Sequence, residues 1–166
     1  MGFIINPKDS CVLNKDTAAG QLSLTLYVDD ILITCRSERE IQRFCKDLQA
    51  HFPEQLTVHN GPVISYLGQT FDLRTPGKVV VSMAHYVDEL LTVAEVTGVS
   101  KVPAGADLFC PDSASPILDA TKRSTYATLV AKLLFLASRV RPDLLLAVSY
   151  LSTRSNGNVP TLSDWE

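Results

Sequence analysis

The sequence lacks a long apolar run and any recognisable export signal. Its longest apolar stretch, residues 129 to 140, is interrupted by Lys132 and Arg139 and falls short of the roughly 18 residues that a membrane span needs. The amino terminus, residues 1 to 7, has neither the basic nor the long apolar region of a signal peptide. These absences predict an intracellular protein, cytoplasmic rather than membrane-bound.

Cysteine occurs four times but in no pattern that binds a metal or builds a disulfide framework. Cys11, Cys35, Cys45 and Cys110 include no Cys-x-x-Cys pair, and no histidine stands at zinc-ligand spacing from them. We therefore expect reduced, mostly buried thiols and no structural zinc site.

The net charge is small and negative, which is unfavourable for binding nucleic acid. The net charge is −3. The affinity of a protein for nucleic acid depends mainly on basic side chains that neutralise phosphates. The distribution is uneven, because residues 1 to 114 hold 9 basic and 14 acidic side chains and residues 115 to 166 hold 6 basic and 4 acidic ones. The second part is therefore the better candidate for a surface that meets a phosphate backbone.

An apolar content of 46% is enough for a real core, and one stretch organises it. Between residues 22 and 34 apolar side chains recur at every second position, in two runs: Leu22, Leu24, Leu26 and Val28, then Ile31 and Ile33. This period of two predicts a half-buried antiparallel hairpin. Asp29 and Asp30 are expected at its tip.

The two adjacent acids have two interpretations. Asp is common in tight turns, because its side chain hydrogen-bonds its own backbone and it tolerates left-handed φ and ψ. Two like charges side by side also repel each other, which favours a cation nearby. Carboxylates are ligands that Mg²⁺ prefers, and in polymerases two such ions act on phosphoryl transfer. From the spacing alone, the turn and the metal site both stay open.

The residues around this hairpin predict an α+β fold with an antiparallel sheet and packed helices. Ser37 and Glu40 form a capping box that begins a helix, which Pro53 prevents from continuing. A second helix is predicted from near Ala84 to a C-cap at Gly98. The predicted strands cover residues 11–13, followed by a loop over 14–20, and then residues 56–59, 64–74 and 78–83.

Residues 99 to 121 are rich in Pro, Gly, Ser, Ala and Asp, show no sustained period and are predicted to form a linker. Two apolar-faced helices follow. The first contains Tyr126, Leu133 and Ala137, and Pro142 opens the second. Together they predict a helical hairpin that ends at residues 155–158.

Tyr27-Val28-Asp29-Asp30, between two apolar strands, resembles the Tyr-x-Asp-Asp box of reverse transcriptases. The flanking segments resemble those of one branch, the Ty1/copia-type retrotransposon polymerases, and the similarity runs nearly the whole length of the chain. Its other landmarks are Gly2-Phe3, Asp9-Ser10-Cys11-Val12, Tyr66-Leu67-Gly68, His85-Tyr86-Val87, Leu133-Leu134-Phe135-Leu136-Ala137, Arg141-Pro142-Asp143 and Trp165. The box alone is moderately specific, and the ordered set of landmarks is strongly specific.

This resemblance implies a catalytic site and a primer contact. Asp29 matches the metal-binding acid of the box and Asp30 its neighbour, so both are candidate catalytic residues and Mg²⁺ ligands. Tyr27 and Val28 match residues that shape the floor beside the primer end and the incoming nucleotide. Tyr66-Leu67-Gly68 resembles the turn that presses against the primer strand; a glycine that marks a strand bulge is the alternative.

The resemblance also implies a nucleic-acid surface on the later helices, which would belong to a thumb subdomain along the template–primer minor groove. Five basic residues lie on or beside the first of these helices, namely Lys122, Arg123, Lys132, Arg139 and Arg141. They are candidate contacts to the nucleic-acid backbone. A solvated helix face explains the same residues without any ligand, and this alternative stays open.

By resemblance, residues 1–98 form a later palm, 99–121 a linker, 122–155 thumb-like helices and 156–166 a tail. The parent protein would be an RNA-directed DNA polymerase that binds template–primer, deoxynucleoside triphosphate and Mg²⁺. Nothing before Asp29 matches the family's earlier catalytic strand or its fingers. Without that amino-terminal segment as a partner, the chain is expected to bind Mg²⁺ weakly or not at all and not to polymerise. An inactive remnant that only binds nucleic acid or another protein is the alternative.

Overall fold

The hairpin predicted between residues 22 and 34 is the centre of a four-stranded antiparallel sheet. The strands are β1 (Ile4–Asn6), β2 (Asp9–Thr17), β3 (Gly20–Tyr27) and β4 (Asp30–Thr34), in that spatial order. In the β3–β4 register Leu24 lies opposite Ile33 and Leu26 opposite Ile31. These side chains therefore share one face of the sheet, as the period of two predicted.

Helix α1 (Glu38–Gln49) covers that apolar face. Ser37 is its N-cap, since the Ser37 hydroxyl accepts a hydrogen bond from the Glu40 amide at 3.4 Å, which confirms the predicted helix start. Phe44 is buried against Leu22 and Leu24 and meets the ring of Phe3 edge-on, with centroids 5.4 Å apart. This cluster is the core of the first part of the chain.

A second antiparallel sheet contains β5 (Val63–Tyr66) and β6 (Gln69–Asp72). The sequence predicted one strand over 64–74, which is wrong because a turn divides it. Leu67 and Gly68 form that turn, with left-handed φ values of 50° and 76°, so the chain reverses there instead of continuing.

Two other predictions along the first part were wrong. The predicted loop over 14–20 is mostly strand, because Asn14 to Thr17 pair with residues 20–23 of β3 and only a tight turn remains. Asn14 and Asp16 lie on the sheet face away from α1, where the Ser23 hydroxyl donates to the side-chain oxygen Oδ1 of Asn14 at 2.8 Å. Residues 56–59 form no strand, and no backbone ladder supports them.

The remaining elements are mainly helical. After β7 (Val80–Ser82) come α2 (Ala84–Ala94), α3 (Ala120–Arg139), α4 (Leu145–Asn156) and the short α5 (Leu162–Trp165). Helix α2 ends earlier than predicted: its C-cap is Glu95 with φ 55°, not Gly98. Asp119 is the N-cap of helix α3, and its carboxylate accepts a hydrogen bond from the Lys122 amide at 2.9 Å.

Helices α3 and α4 form the predicted helical hairpin. Tyr126 and Val130 of α3 are buried with Val148 of α4, and the Tyr126 hydroxyl donates to the Leu151 carbonyl at 3.0 Å. A second cluster joins α2 to α3 through Met83, Leu90 and Leu136. The α+β class predicted from the sequence is confirmed.

The structure, a computed structural model, describes residues 1–110, 112, 114–156 and 159–165. It divides into two compact units, Met1–Val79 and Val80–Glu166. The subdomain limits at 98, 121 and 155 stay a prediction. Helix α4 ends at Asn156, and the rest of its predicted end, Gly157 and Asn158, lies outside the described residues. Within the described ranges no helix is long and apolar enough to cross a bilayer.

Candidate functional site

The tip of the β3–β4 hairpin is a turn of two residues, Val28 and Asp29. Strand β3 ends at Tyr27, β4 begins at Asp30, and these two residues lie opposite each other. The sequence placed Asp29 and Asp30 together at the tip, which is wrong by one residue for Asp30. The register explains the difference, because the buried Leu24 and its partner Ile33 set the pairing and leave Asp30 in the ladder.

Val28 has an unusual backbone conformation. Its φ is 55°, and its side chain is 92% exposed. A β-branched residue rarely adopts this left-handed region, and tight hairpin turns favour glycine, Asn or Asp there. Val28 therefore takes the left-handed position of this turn and Asp29 is its second residue, and the prediction that Val28 shares the apolar face is wrong. Burial does not compensate for the strain at this position, which makes the tip a candidate functional feature.

Both acids beside Val28 are exposed. Across the described part of the chain, neither Asp29 nor Asp30 has a side-chain hydrogen bond or ion pair with another residue. Side chains alternate along a strand, so Asp30 and Tyr27 point to the sheet face away from α1. Two negatively charged groups thus stand free at one end of the sheet, where a cation or a hydrogen-bond donor can reach them.

The two acids have some of the chemistry that a Mg²⁺ site needs. Their oxygens are of the kind that Mg²⁺ prefers, and Mg²⁺ often uses one or two carboxylates together with waters and substrate phosphates. No group of three or more His, Cys, Asp or Glu able to hold a metal exists among the described residues. The donor set therefore fits Mg²⁺ only with further ligands that do not come from a neighbouring acid cluster.

The second predicted motif, Tyr66-Leu67-Gly68, is the turn region of the β5–β6 hairpin. Leu67 and Gly68 are the two turn residues and Tyr66 is the last residue of β5. Gly68 therefore lies in a turn and does not mark a strand bulge. The Tyr66 hydroxyl donates to the Thr25 carbonyl of β3 at 3.1 Å. The fold thus connects this motif directly to the strand that leads to Asp29.

The five basic candidates differ in their surroundings. Lys132 Nζ lies 5.9 Å from the centroid of the Tyr86 ring, and the Arg139 guanidinium lies 5.0 Å from that of Phe135. The Arg141 guanidinium donates to both oxygens of Asp143, at 2.9 and 2.7 Å. These hydrogen bonds raise the pKa of Arg141 and lower that of Asp143. Arg141 is therefore already paired.

Lys122, Arg123, Lys132 and Arg139 have no carboxylate partner among the residues that the structure describes. All but Lys132 are exposed. Their role as contacts to nucleic acid stays a prediction, with these four better placed for it than Arg141.

One polar cluster was missed from the sequence. Asp164 in α5 accepts hydrogen bonds from Arg154 at 3.0 Å and from the Thr161 amide and hydroxyl, both at 2.8 Å. Burial alone would raise the pKa of Asp164, but these donors outweigh it, and the pKa lies below its usual value. The signal was a Thr-x-x-Asp capping box at residues 161–164.

Comparison with known proteins supports a transposon origin. The chain is 25% identical over 155 residues to a Saccharomyces cerevisiae protein described as a transposon Ty5-1 protein. The match covers 92% of this chain and 48% of that relative, so the chain spans about half the length of the curated relative it matches. No family model matches the sequence, and no solved structure matches the fold.

Proposed function

We propose that this chain is the later palm and thumb of a Ty1/copia-type reverse transcriptase, an RNA-directed DNA polymerase that adds deoxynucleotides to a primer along a template. The observation that carries the proposal is the hairpin tip, where a strained and exposed Val28 is followed by two acids that no other described residue neutralises. The Ty5-1 similarity over 92% of the chain supports the same assignment.

In the proposed site each residue of the box has a distinct role. Asp29 and Asp30 would hold Mg²⁺ through their carboxylate oxygens, together with a further carboxylate that the family has on an earlier strand, waters and substrate phosphates. When bound, the metal supplies charge stabilisation for the attacking 3′ hydroxyl and the leaving pyrophosphate. Tyr27 and the exposed Val28 would form the surface beside the primer end.

The free edge of the sheet suits this assignment. Strand β4 is the outer strand of the four, and in the described ranges it has a single neighbour, β3. An unpaired strand edge readily accepts another extended segment by main-chain hydrogen bonding. A strand added there would lie beside Asp30, the first residue of β4, and could supply the missing ligand.

Metal binding by this chain tests the site itself. Mn²⁺, a paramagnetic substitute for Mg²⁺, is expected to broaden the amide resonances of residues 28–31 at millimolar concentration and to lose this effect in Asp29→Asn. The matched control is Asp16→Asn, which removes an exposed acid from β2 of the same sheet and should leave the broadening unchanged. Equal broadening in wild type and Asp29→Asn would contradict the proposal.

Primer extension tests the reaction. The longest reading frame that contains this chain should extend a primer on RNA or DNA template with Mg²⁺ or Mn²⁺, and Asp29→Asn should abolish the extension while Asp16→Asn retains it. This chain alone is expected not to extend the primer. Extension that survives Asp29→Asn would refute the catalytic assignment.

The alternative is a binding module without activity. It is favoured by the absence of a third acid near Asp29 and Asp30 in the described part of the chain. In that case the longer reading frame would bind a primer–template duplex but would not extend the primer, with either metal. The same assay therefore separates the two functions.

A further inference from the structure

A single side chain links the two β-hairpins whose turns carry the sequence motifs. The Tyr66 hydroxyl donates to the backbone carbonyl of Thr25 at 3.1 Å, a contact between residues 41 positions apart. Thr25 stands two residues before Tyr27, the last residue of β3, and Tyr66 is the last residue of β5. The bond therefore joins the two strands close to the ends that carry the turns.

Both turns contain a strained residue at the same position. Val28 and Leu67 are the first residues of their two-residue turns, and their φ values are 55° and 50°. Neither is a residue that such turns favour at this place. Strained conformations persist where the surrounding structure over-determines them, so a contact that holds the flanking strands is expected nearby. The hydrogen bond from Tyr66 to Thr25 is such a contact, and it lies near both turns.

Packing does not explain why this residue carries a hydroxyl. The cluster under the sheet consists of Leu22, Leu24 and Phe44 with their neighbours, on the face that α1 covers, and Tyr66 is not a member. Thr25 points to the other face, because it alternates with Leu24 along β3. Phenylalanine would have nearly the same volume as tyrosine, so the hydrogen bond is what the hydroxyl adds.

We infer that Tyr66 is a positioning residue, whose hydroxyl holds the Leu67–Gly68 turn in a constant place relative to the Val28–Asp29 turn and its acids. The functional meaning of this coupling rests on the polymerase site proposed above. There it would keep a primer strand that contacts one turn in register with the carboxylates beside the other. Tyr66 itself would not need to touch the ligand.

The test removes the hydroxyl alone. In Tyr66→Phe the amide resonances of residues 28–30 and of residues 67–68 should shift together, and amide hydrogen exchange in the flanking parts of β3 and β5 should become about five-fold faster, as expected for losing one typical hydrogen bond. The matched control is Tyr86→Phe, which loses a hydroxyl bond of the same kind, to the Lys132 carbonyl at 3.1 Å. That variant should change neither turn.

A perturbation in Tyr66→Phe that stays within residues 65–69, with residues 28–30 unchanged, would overturn the inference. Shifts spread over the whole first unit, with exchange accelerated equally at Leu24 and Phe44, would also overturn it, because they indicate a general loss of stability. Coupled shifts confined to the two turns support it.

A metal readout separates this inference from the proposed function. If Mn²⁺ binds at Asp29 and Asp30, its broadening of the Leu67 and Gly68 amides depends steeply on their distance from the ion. Tyr66→Phe should then alter the broadening of the Leu67 and Gly68 amides and leave the broadening of the Ile31 amide as in wild type. A uniform loss of stability would not produce this selective change. If Mn²⁺ does not bind in wild type, the proposed function fails, and the chemical shifts and exchange rates still decide the coupling.

Discussion

Acidic side chains in the two units differ in their exposure and in their hydrogen-bond partners. Asp29 and Asp30, at the end of the sheet in the first unit, are exposed and have no partner among the described residues. Asp164, in the second unit, is 7% exposed at its side chain and accepts hydrogen bonds from Arg154 and Thr161. Asp29 and Asp30 can interact with an added ligand, whereas the carboxylate of Asp164 already accepts hydrogen bonds from its neighbours.

This difference separates a candidate site from a structural cluster. A charged side chain that is buried and satisfied contributes to stability, and its removal leaves its partner unpaired. An exposed acid next to another acid contributes little and even opposes folding slightly through repulsion. Substituting Asp164 should therefore lower the stability strongly and hardly change metal binding. Substituting Asp29 should hardly change the stability and should weaken metal binding.

The largest effect is expected for Asp164→Asn, because Arg154, whose side chain is only 13% exposed, would lose its counter-charge. The free energy of unfolding of the second unit should fall by about 3 kcal/mol. The one tryptophan of the chain, Trp165, lies next to Asp164 in α5, so its fluorescence during urea unfolding measures the change.

Two variants serve as controls for this comparison. Asp143→Asn breaks an exposed pair with Arg141 and should not move the unfolding midpoint measurably. Asp29→Asn, in the first unit, should leave amide hydrogen exchange at the buried Leu24 unchanged. If Asp29→Asn destabilised the first unit as much as Asp164→Asn destabilises the second, the distinction between an unpaired and a paired acid would be wrong.

A smaller effect of the same origin is expected on acidification. The pKa of Asp164 is below its usual value in the folded protein, because its hydrogen-bond donors outweigh burial. Its contribution to stability is therefore present above the unfolded pKa of about 4 and is lost as the pH falls through the lower folded pKa. Trp165 fluorescence should report this loss in wild type, and the difference between wild type and Asp164→Asn should shrink below pH 4. A constant difference would contradict the assignment.

The smallest effect is expected in the turn beside the exposed acids. Val28→Gly should raise the free energy of unfolding by about 1 kcal/mol, because glycine removes the left-handed strain but loses more chain entropy on folding. Hydrogen exchange at the buried Leu24 amide measures it. Val63→Gly, at another exposed valine in an ordinary strand position, should destabilise instead. A loss of stability in Val28→Gly would show that the turn is not strained.

Local patterns predicted the elements that depend on neighbouring residues. The Leu22, Leu24 and Leu26 alternation marked β3, Ser37 marked the start of α1, and the apolar spacing around Tyr126 marked α3. Patterns failed where distant pairing decided the outcome. The polar character of residues 14–17 predicted a loop, but these residues belong to a β-strand because β3 forms backbone hydrogen bonds with them.

For the candidate site, the sequence by itself determined which residues carry charge and that Asp29 and Asp30 follow an apolar strand. Only the tertiary structure decided that Val28 takes the left-handed position, that Asp30 belongs to the ladder, and that Tyr66 reaches Thr25. The physical reason is that strand register depends on which side chains the whole sheet buries. A contact across 41 residues likewise depends on the path of the folded chain, and no local period contains that information.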